Sequence, residues 1–111
     1  MIYFDHSATT PIHPKVVEKI DYINREHYAN PSSIYTQGRK AKSLIEKARN
    51  QVADSIGAKA EQIFFTSGGT EANNQVLWTK TEDKKKHIIV SSIEHPAILK
   101  VLKKIEPYGV T

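Results

Sequence analysis

No cysteine occurs among the 111 residues, so this stretch can close no disulfide, offer no thiolate to a metal and supply no cysteine nucleophile. Long apolar runs are missing too, since no window approaches the ~18 apolar residues of a membrane-spanning helix. The opening "MIYFDHSATT" contains Asp5 and lacks the basic start of a secretion signal. The expectation is a soluble, cytoplasmic chain with no membrane partner. Aromatic residues make up 8% and are not interleaved with lysines as a single-strand binder requires. The net charge of +4 comes partly from Lys84, Lys85 and Lys86 and from Lys100, Lys103 and Lys104. Both clusters fall where a loop or an exposed helix face is expected, which favours a solvated surface over a nucleic-acid partner. No metal site is assigned.

What is present suits one compact domain of ordinary size, 39% hydrophobic. Residues 1–12 pair a short apolar patch, Ile2 to Phe4, with "DHSATTPIHP", too rich in proline and hydroxyls for regular helix or central strand. From Lys15 to about Tyr28, apolar residues recur at helical spacing behind Pro14, which suits a first turn. "NPSS" at 30–33 breaks the chain. Ile34, Ala41, Leu44, Ile45, Ala48, Val52 and Ile56 then fall along one face, which predicts a helix over 36–56 ended by Gly57.

Further helices are expected at 70–79 and from Pro96 to Ile105. Strands are expected at 62–66 ("EQIFF" region), at 87–92 ("HIIVSS") and beginning near Val110. Strand, helix, strand, helix, strand is the order of a parallel α/β sheet with right-handed crossovers. Two strands cannot cover both faces of such a sheet, so the chain reads as truncated in its third strand relative to the fold it encodes. The helix faces would then be partly bare, and the chain alone is expected to be loosely packed or prone to aggregate.

The stretch "FFTSGGTEANN", 64–74, carries the first chemical signal. In an open parallel sheet, ligands gather beyond the carboxyl ends of strands, where this turn falls. Gly68 and Gly69 admit positive φ and close backbone approach, and the unpaired N–H groups opening the next helix can seat a phosphate. The Ser67 and Thr70 hydroxyls are further donors. Glu71 favours the helix dipole but would repel a phosphate unless it points away. Neither a P-loop nor G-x-G-x-x-G is present, and a Gly-Gly turn is also a common structural device. His95, in "SSIEHPA", follows the second expected strand and falls on the same sheet edge; it could stack on an aromatic ring whose phosphate sits at Thr70, or simply punctuate the helix begun by Pro96.

Taken together, "YFDHSATTP" (3–11), "NPSS" with "GRKA" (30–41), "IFFTSGGTEANN" (63–74) and "SSIEHPA" (91–97) resemble the amino-terminal part of a cysteine desulfurase, in the class V aminotransferase group. "IEKARNQVADSIGA" (45–58) follows the same pattern, so the resemblance covers nearly the whole chain. It implies a fold type I pyridoxal-phosphate-dependent transferase, with 1–35 as an amino-terminal arm and helix and 36–111 as part of the cofactor-binding large domain. Gly69 and Thr70 correspond to the groups that hold the cofactor phosphate, and His95 to the imidazole stacked on its ring. His6 receives no catalytic role. Tyr35 stands where the family usually has His.

The resemblance also implies what these residues lack: the lysine that binds the cofactor covalently, the acid that pairs with its ring nitrogen, and the mobile cysteine that takes the substrate sulfur. No catalytic residue is therefore assigned, and the chain alone is expected to be inactive. For a complete protein the implied substrate is L-cysteine, the product L-alanine, and the partner a sulfur acceptor protein. A homodimer is implied, or a second chain supplying the carboxy-terminal part. The alternatives are another class V aminotransferase or lyase, a small phosphate-binding module, and a stand-alone interaction protein.

Overall fold

The computed structural model describes residues 2–84 and 86–111. Of the expected Lys84–Lys86 cluster, Lys85 lies outside the described residues. Two compact units divide the chain, Met1–Ile63 and Phe64–Thr111.

In the first unit, α1 spans Pro14–Glu26 and α2 spans Thr36–Ile56. His13 caps α1: its Nδ1 accepts from the Lys15 N–H at 3.3 Å, and Pro14 occupies the position where a missing N–H costs nothing. Gly57 ends α2 in the left-handed conformation, φ 68°, and the Ala58 N–H reaches the Ala53 carbonyl at 2.9 Å. That is the closure a glycine makes cheaply. Between the helices Asn30 folds the chain back, its Oδ1 accepting from Ser32 N–H at 2.9 Å and its carbonyl from Ser33 N–H at 3.0 Å. Gly38, buried in the first turn of α2, lies against this bend, and the Arg39 guanidinium donates to the Ile34 carbonyl and to Thr36 Oγ1. The "NPSS" and "GRKA" blocks are thus two halves of one contact. At the far end of α2, Arg49 bonds Glu46 and the Ile63 carbonyl, tying the helix to a 3-10 turn at Ala60–Gln62.

In the second unit, α3 (Gly69–Thr79) packs against α4 (Pro96–Ile105). Ile105, fully buried, forms the centre of a small core with Val101 and Val110, against which Leu77, Ile88 and Leu102 pack. A 3-10 turn, Glu106–Tyr108, is closed by Gly109 at φ 83°, which aims Val110 back into that core. Trp78 meets Tyr108 edge to face, ring centroids 5.5 Å apart.

The three expected strands are not formed: no strand is present among the described residues. Residues 60–62 are 3-10 helix, and Ile63 is extended, φ −100° and ψ 123°, without a ladder partner among the described residues. Extended propensity comes from side chains, whereas a strand is defined by a neighbour that accepts and donates along it. One rung survives. Thr111 N–H donates to the Lys86 carbonyl and Ile88 N–H to the Thr111 carbonyl, both at 2.7 Å, the slanted pattern of a parallel pair reduced to a single step.

Few residues are buried. Phe4, Ile34, Phe64, Ile89 and Ile93 are each more than three-quarters exposed, and α1 buries no residue. The chain alone is therefore expected to bind a hydrophobic dye and to melt over a broad range. A sharp two-state transition of a monomer with strong near-ultraviolet dichroism would contradict this.

Candidate functional site

The turn before α3 is built from side chains that bond their own backbone. Glu71 sends its carboxylate back four residues, accepting from the Ser67 N–H at 2.7 Å and the Ser67 hydroxyl at 2.6 Å; Gln75 Nε2 donates to its other oxygen at 3.1 Å. The Ser67 hydroxyl, then its N–H and more weakly Gln75, hold the Glu71 carboxyl below the ordinary glutamate range, so it is ionised at neutral pH. Two sequence expectations are corrected here. The hydroxyl of Ser67 is spent on Glu71 and does not face a ligand as a donor. Nor does the glycine pair adopt the left-handed conformation: Gly68 is extended at φ 164°, ψ 178°, Gly69 opens α3, and the left-handed glycines are Gly57 and Gly109.

What the glycines provide is room. A Cβ added to Gly68 or Gly69 would meet nothing within 4 Å, so the space over the turn is clear, and a methyl group would occupy it. The first helical bond is accepted by the Gly68 carbonyl from Ala72 N–H, and Gly68 has no side chain to cap the turn. The N–H groups of Gly69, Thr70 and Glu71 are left for an outside acceptor, at the positive end of the helix dipole.

Across from this turn lies the start of α4. His95 Nδ1 accepts from Ala97 N–H at 3.1 Å, with Pro96 next in line, the same construction that His13 and Pro14 use for α1. Helix punctuation is therefore one real role of His95. That bond places the ring proton of the neutral imidazole on Nε2, which has no partner among the described residues. What separates His95 from His13 is its neighbour: Thr70 and His95 line one cleft of about 340 Å³, at the small end of sites for small molecules. Gly69 adjoins that wall without lining it.

Asn74, Lys100 and Lys104 complete the cleft, and sequence reasoning missed all three. The signal was the four-residue spacing of Thr70 with Asn74 and of Pro96 with Lys100 and Lys104, which puts each set on one helix face. Asn74 Nδ2 donates to the Thr70 carbonyl at 2.7 Å. No carboxylate lines the cleft, and no ion pair involving Lys100 or Lys104 is present among the described residues, so the site is cationic. Among the described residues no cluster suited to a metal ion occurs.

An anion-favouring helix start thus faces an imidazole across a small cleft. The chain belongs to the class-V aminotransferase family, whose model matches residues 2–111. Members of that family are fold type I enzymes that generally depend on pyridoxal phosphate.

Among curated proteins, the chain is similar to the cysteine desulfurase IscS of Methanosarcina thermophila, 45% identical over 97% of this chain and 28% of that protein. It is also similar to the NifS/IcsS protein homolog of Lactobacillus delbrueckii subsp. bulgaricus, 43% identical over 98% of this chain and 29% of that protein. A selenocysteine lyase of Xenopus tropicalis is 46% identical over 87% of this chain and 26% of that protein. The chain thus spans under a third of the length of the relatives it matches. No helix among the described residues is long and apolar enough to cross a membrane.

Proposed function

We propose that this chain is the amino-terminal portion of a pyridoxal-phosphate-dependent cysteine desulfurase, contributing the phosphate seat and one ring contact of its cofactor site. The observation that carries the reading is the shared cleft of Thr70 and His95 at the starts of α3 and α4. The residues suit the group: open space over Gly68 and Gly69, donors at Gly69 and Thr70, cationic walls, and an exposed imidazole. Gly69 and Thr70 would hold the phosphate and His95 would lie against the ring. When bound, the cofactor would supply an electron sink for charge developing next to the substrate's amine-bearing carbon, which allows the Cβ–Sγ bond to be cleaved.

On this reading, residues 36–111 belong to the large cofactor-binding domain with its parallel sheet, and 1–35 form the arm and first helix. The substrate is L-cysteine, the products are L-alanine and sulfur passed to an acceptor protein, and the assembled enzyme is a cytoplasmic homodimer. Other parts of the protein, or a second chain, would supply the sulfur-accepting cysteine, which these residues lack, and the covalent lysine, since none of the lysines here stands in the matching motif of the family.

The test is to titrate pyridoxal phosphate into this chain alone and into the chain joined to the carboxy-terminal part of a desulfurase relative, recording the visible spectrum. A borohydride-sensitive band and alanine release from cysteine in the joined protein only are expected. The absence of a band in both would overturn the reading. In the joined protein, Thr70→Val is expected to weaken cofactor binding about tenfold, the scale of one hydrogen bond to a charged group, measured by equilibrium dialysis. Unchanged affinity would remove Thr70 from the phosphate seat.

The similarity to a selenocysteine lyase favours one second reading, a sister lyase acting on the selenium analogue. Comparing release of alanine from L-cysteine and L-selenocysteine separates the two.

A further inference from the structure

We propose that Glu71 is a positioning residue that braces the glycine turn from behind, so that its backbone donors are presented to a phosphate; this rests on the cofactor-site reading above. In the usual reciprocal helix cap, a side chain at the capping position takes one N–H of the first turn, and a glutamate three residues on takes the N–H of the capping residue itself. Here the capping residue is Gly68, which has no side chain, and Glu71 reaches one residue further back, to Ser67. The turn is closed by the 2.7 and 2.6 Å bonds from Ser67, while the N–H groups from Gly68 to Glu71 find no acceptor among the described residues. Gln75, one turn onward, holds the other carboxylate oxygen at 3.1 Å and fixes the side chain's direction.

The brace also deals with the carboxylate's charge. An acid in the first turn opposes an anion at the same helix end, and its field is reduced when close donors point at it. Thr66 adds a local bond, its Oγ1 donating to the Gly68 carbonyl at 3.2 Å, so the residues flanking the glycine pair are tied while the pair itself stays bare. The opposing view, that Glu71 chiefly repels phosphate, leads to the opposite mutational result.

The experiment compares wild type, Glu71→Ala, Glu71→Gln and Ser67→Ala in the chain joined to the carboxy-terminal part of a desulfurase relative, before cofactor is added, with inorganic phosphate as the probe. Phosphate affinity is read by equilibrium dialysis, and amide exchange over residues 64–72 by mass spectrometry. Bracing predicts roughly tenfold weaker phosphate binding in Glu71→Ala, with Glu71→Gln at or above the wild-type affinity because an amide oxygen still accepts from Ser67. Exchange over 64–72 should accelerate in Glu71→Ala and not in Glu71→Gln, with the helical circular dichroism of both unchanged. Ser67→Ala, which keeps the backbone bond, should fall between.

Phosphate binding by Glu71→Ala that equals or exceeds wild type overturns the proposal and leaves repulsion as the role of this acid. Equal weakening in Glu71→Gln and Glu71→Ala overturns it as well, because charge and not geometry would then be at work. Wild type that binds no phosphate while its exchange pattern still responds to Glu71→Ala marks a different failure: the turn is braced but is not a phosphate seat, and the cofactor-site reading falls with the proposal.

Discussion

Gly38→Ala is expected to destabilise the first unit by about 2 kcal/mol, although alanine is the better helix former. An alanine Cβ at this position would lie 2.5 Å from the Ser33 carbonyl oxygen, 2.7 Å from that of Asn30 and 2.8 Å from Ser33 Cβ, all inside contact distance. Two of those atoms are backbone in a bend pinned by Asn30 Oδ1 and by the Arg39 guanidinium, so they cannot retreat without breaking these bonds. Overpacking costs about 1–3 kcal/mol, and backbone clashes belong at the top of that range; the helix-propensity gain returns about 1 kcal/mol. Urea titration followed by helical circular dichroism measures the difference. A midpoint equal to or above wild type would mean that the bend moves freely away from α2. Gly69→Ala is the control, since its Cβ meets nothing.

Ile105→Ala is expected to cost the second unit about 2–5 kcal/mol, the range for removing a buried isoleucine side chain and leaving a cavity. Ile105 is 0% exposed, and its core holds two other buried residues, Val101 and Val110. So small a core has little with which to refill the space, which places the loss towards the upper end. The chain's single tryptophan, Trp78, belongs to this unit and touches Tyr108, next to the turn that delivers Val110. Its fluorescence therefore reports on this unit during denaturation. Ile105→Val should lose only about 0.5–1.5 kcal/mol. Equal losses for the two variants, or a loss below about 1 kcal/mol for alanine, would show that the site relaxes.

The helices were legible because their signals are local. Spacing of apolar residues, Pro14 and Pro96 at first turns and Gly57 past a last turn placed α2 and α4 almost to the residue and α1 at its start, since each signal acts within four or five positions of the chain. The end of α1 was missed: it stops at Glu26, two residues short of the expected end. The sheet was not legible in the same way. "IFF" and "HIIVSS" carry extended propensity, but a ladder needs hydrogen-bond partners from distant residues, and among the described residues only Thr111 reaches back to Lys86 and Ile88. The role of the glycine pair was misjudged for a related reason: φ depends on the whole turn, and Glu71 closes that turn without demanding a left-handed residue.

Sequence alone determined the helix boundaries, the lack of a cysteine nucleophile, and the set Gly69, Thr70 and His95 as residues to examine. Their types and spacings are properties of the chain, independent of how it packs. Tertiary structure decided which of them meet. The packing of α3 on α4 puts Thr70 and His95 on one cleft and brings Asn74, Lys100 and Lys104 to its walls. The reason is that a cleft is made by the distance between helices. That distance is set by side chains such as Leu77, Val101 and Ile105, whose contacts no local pattern records.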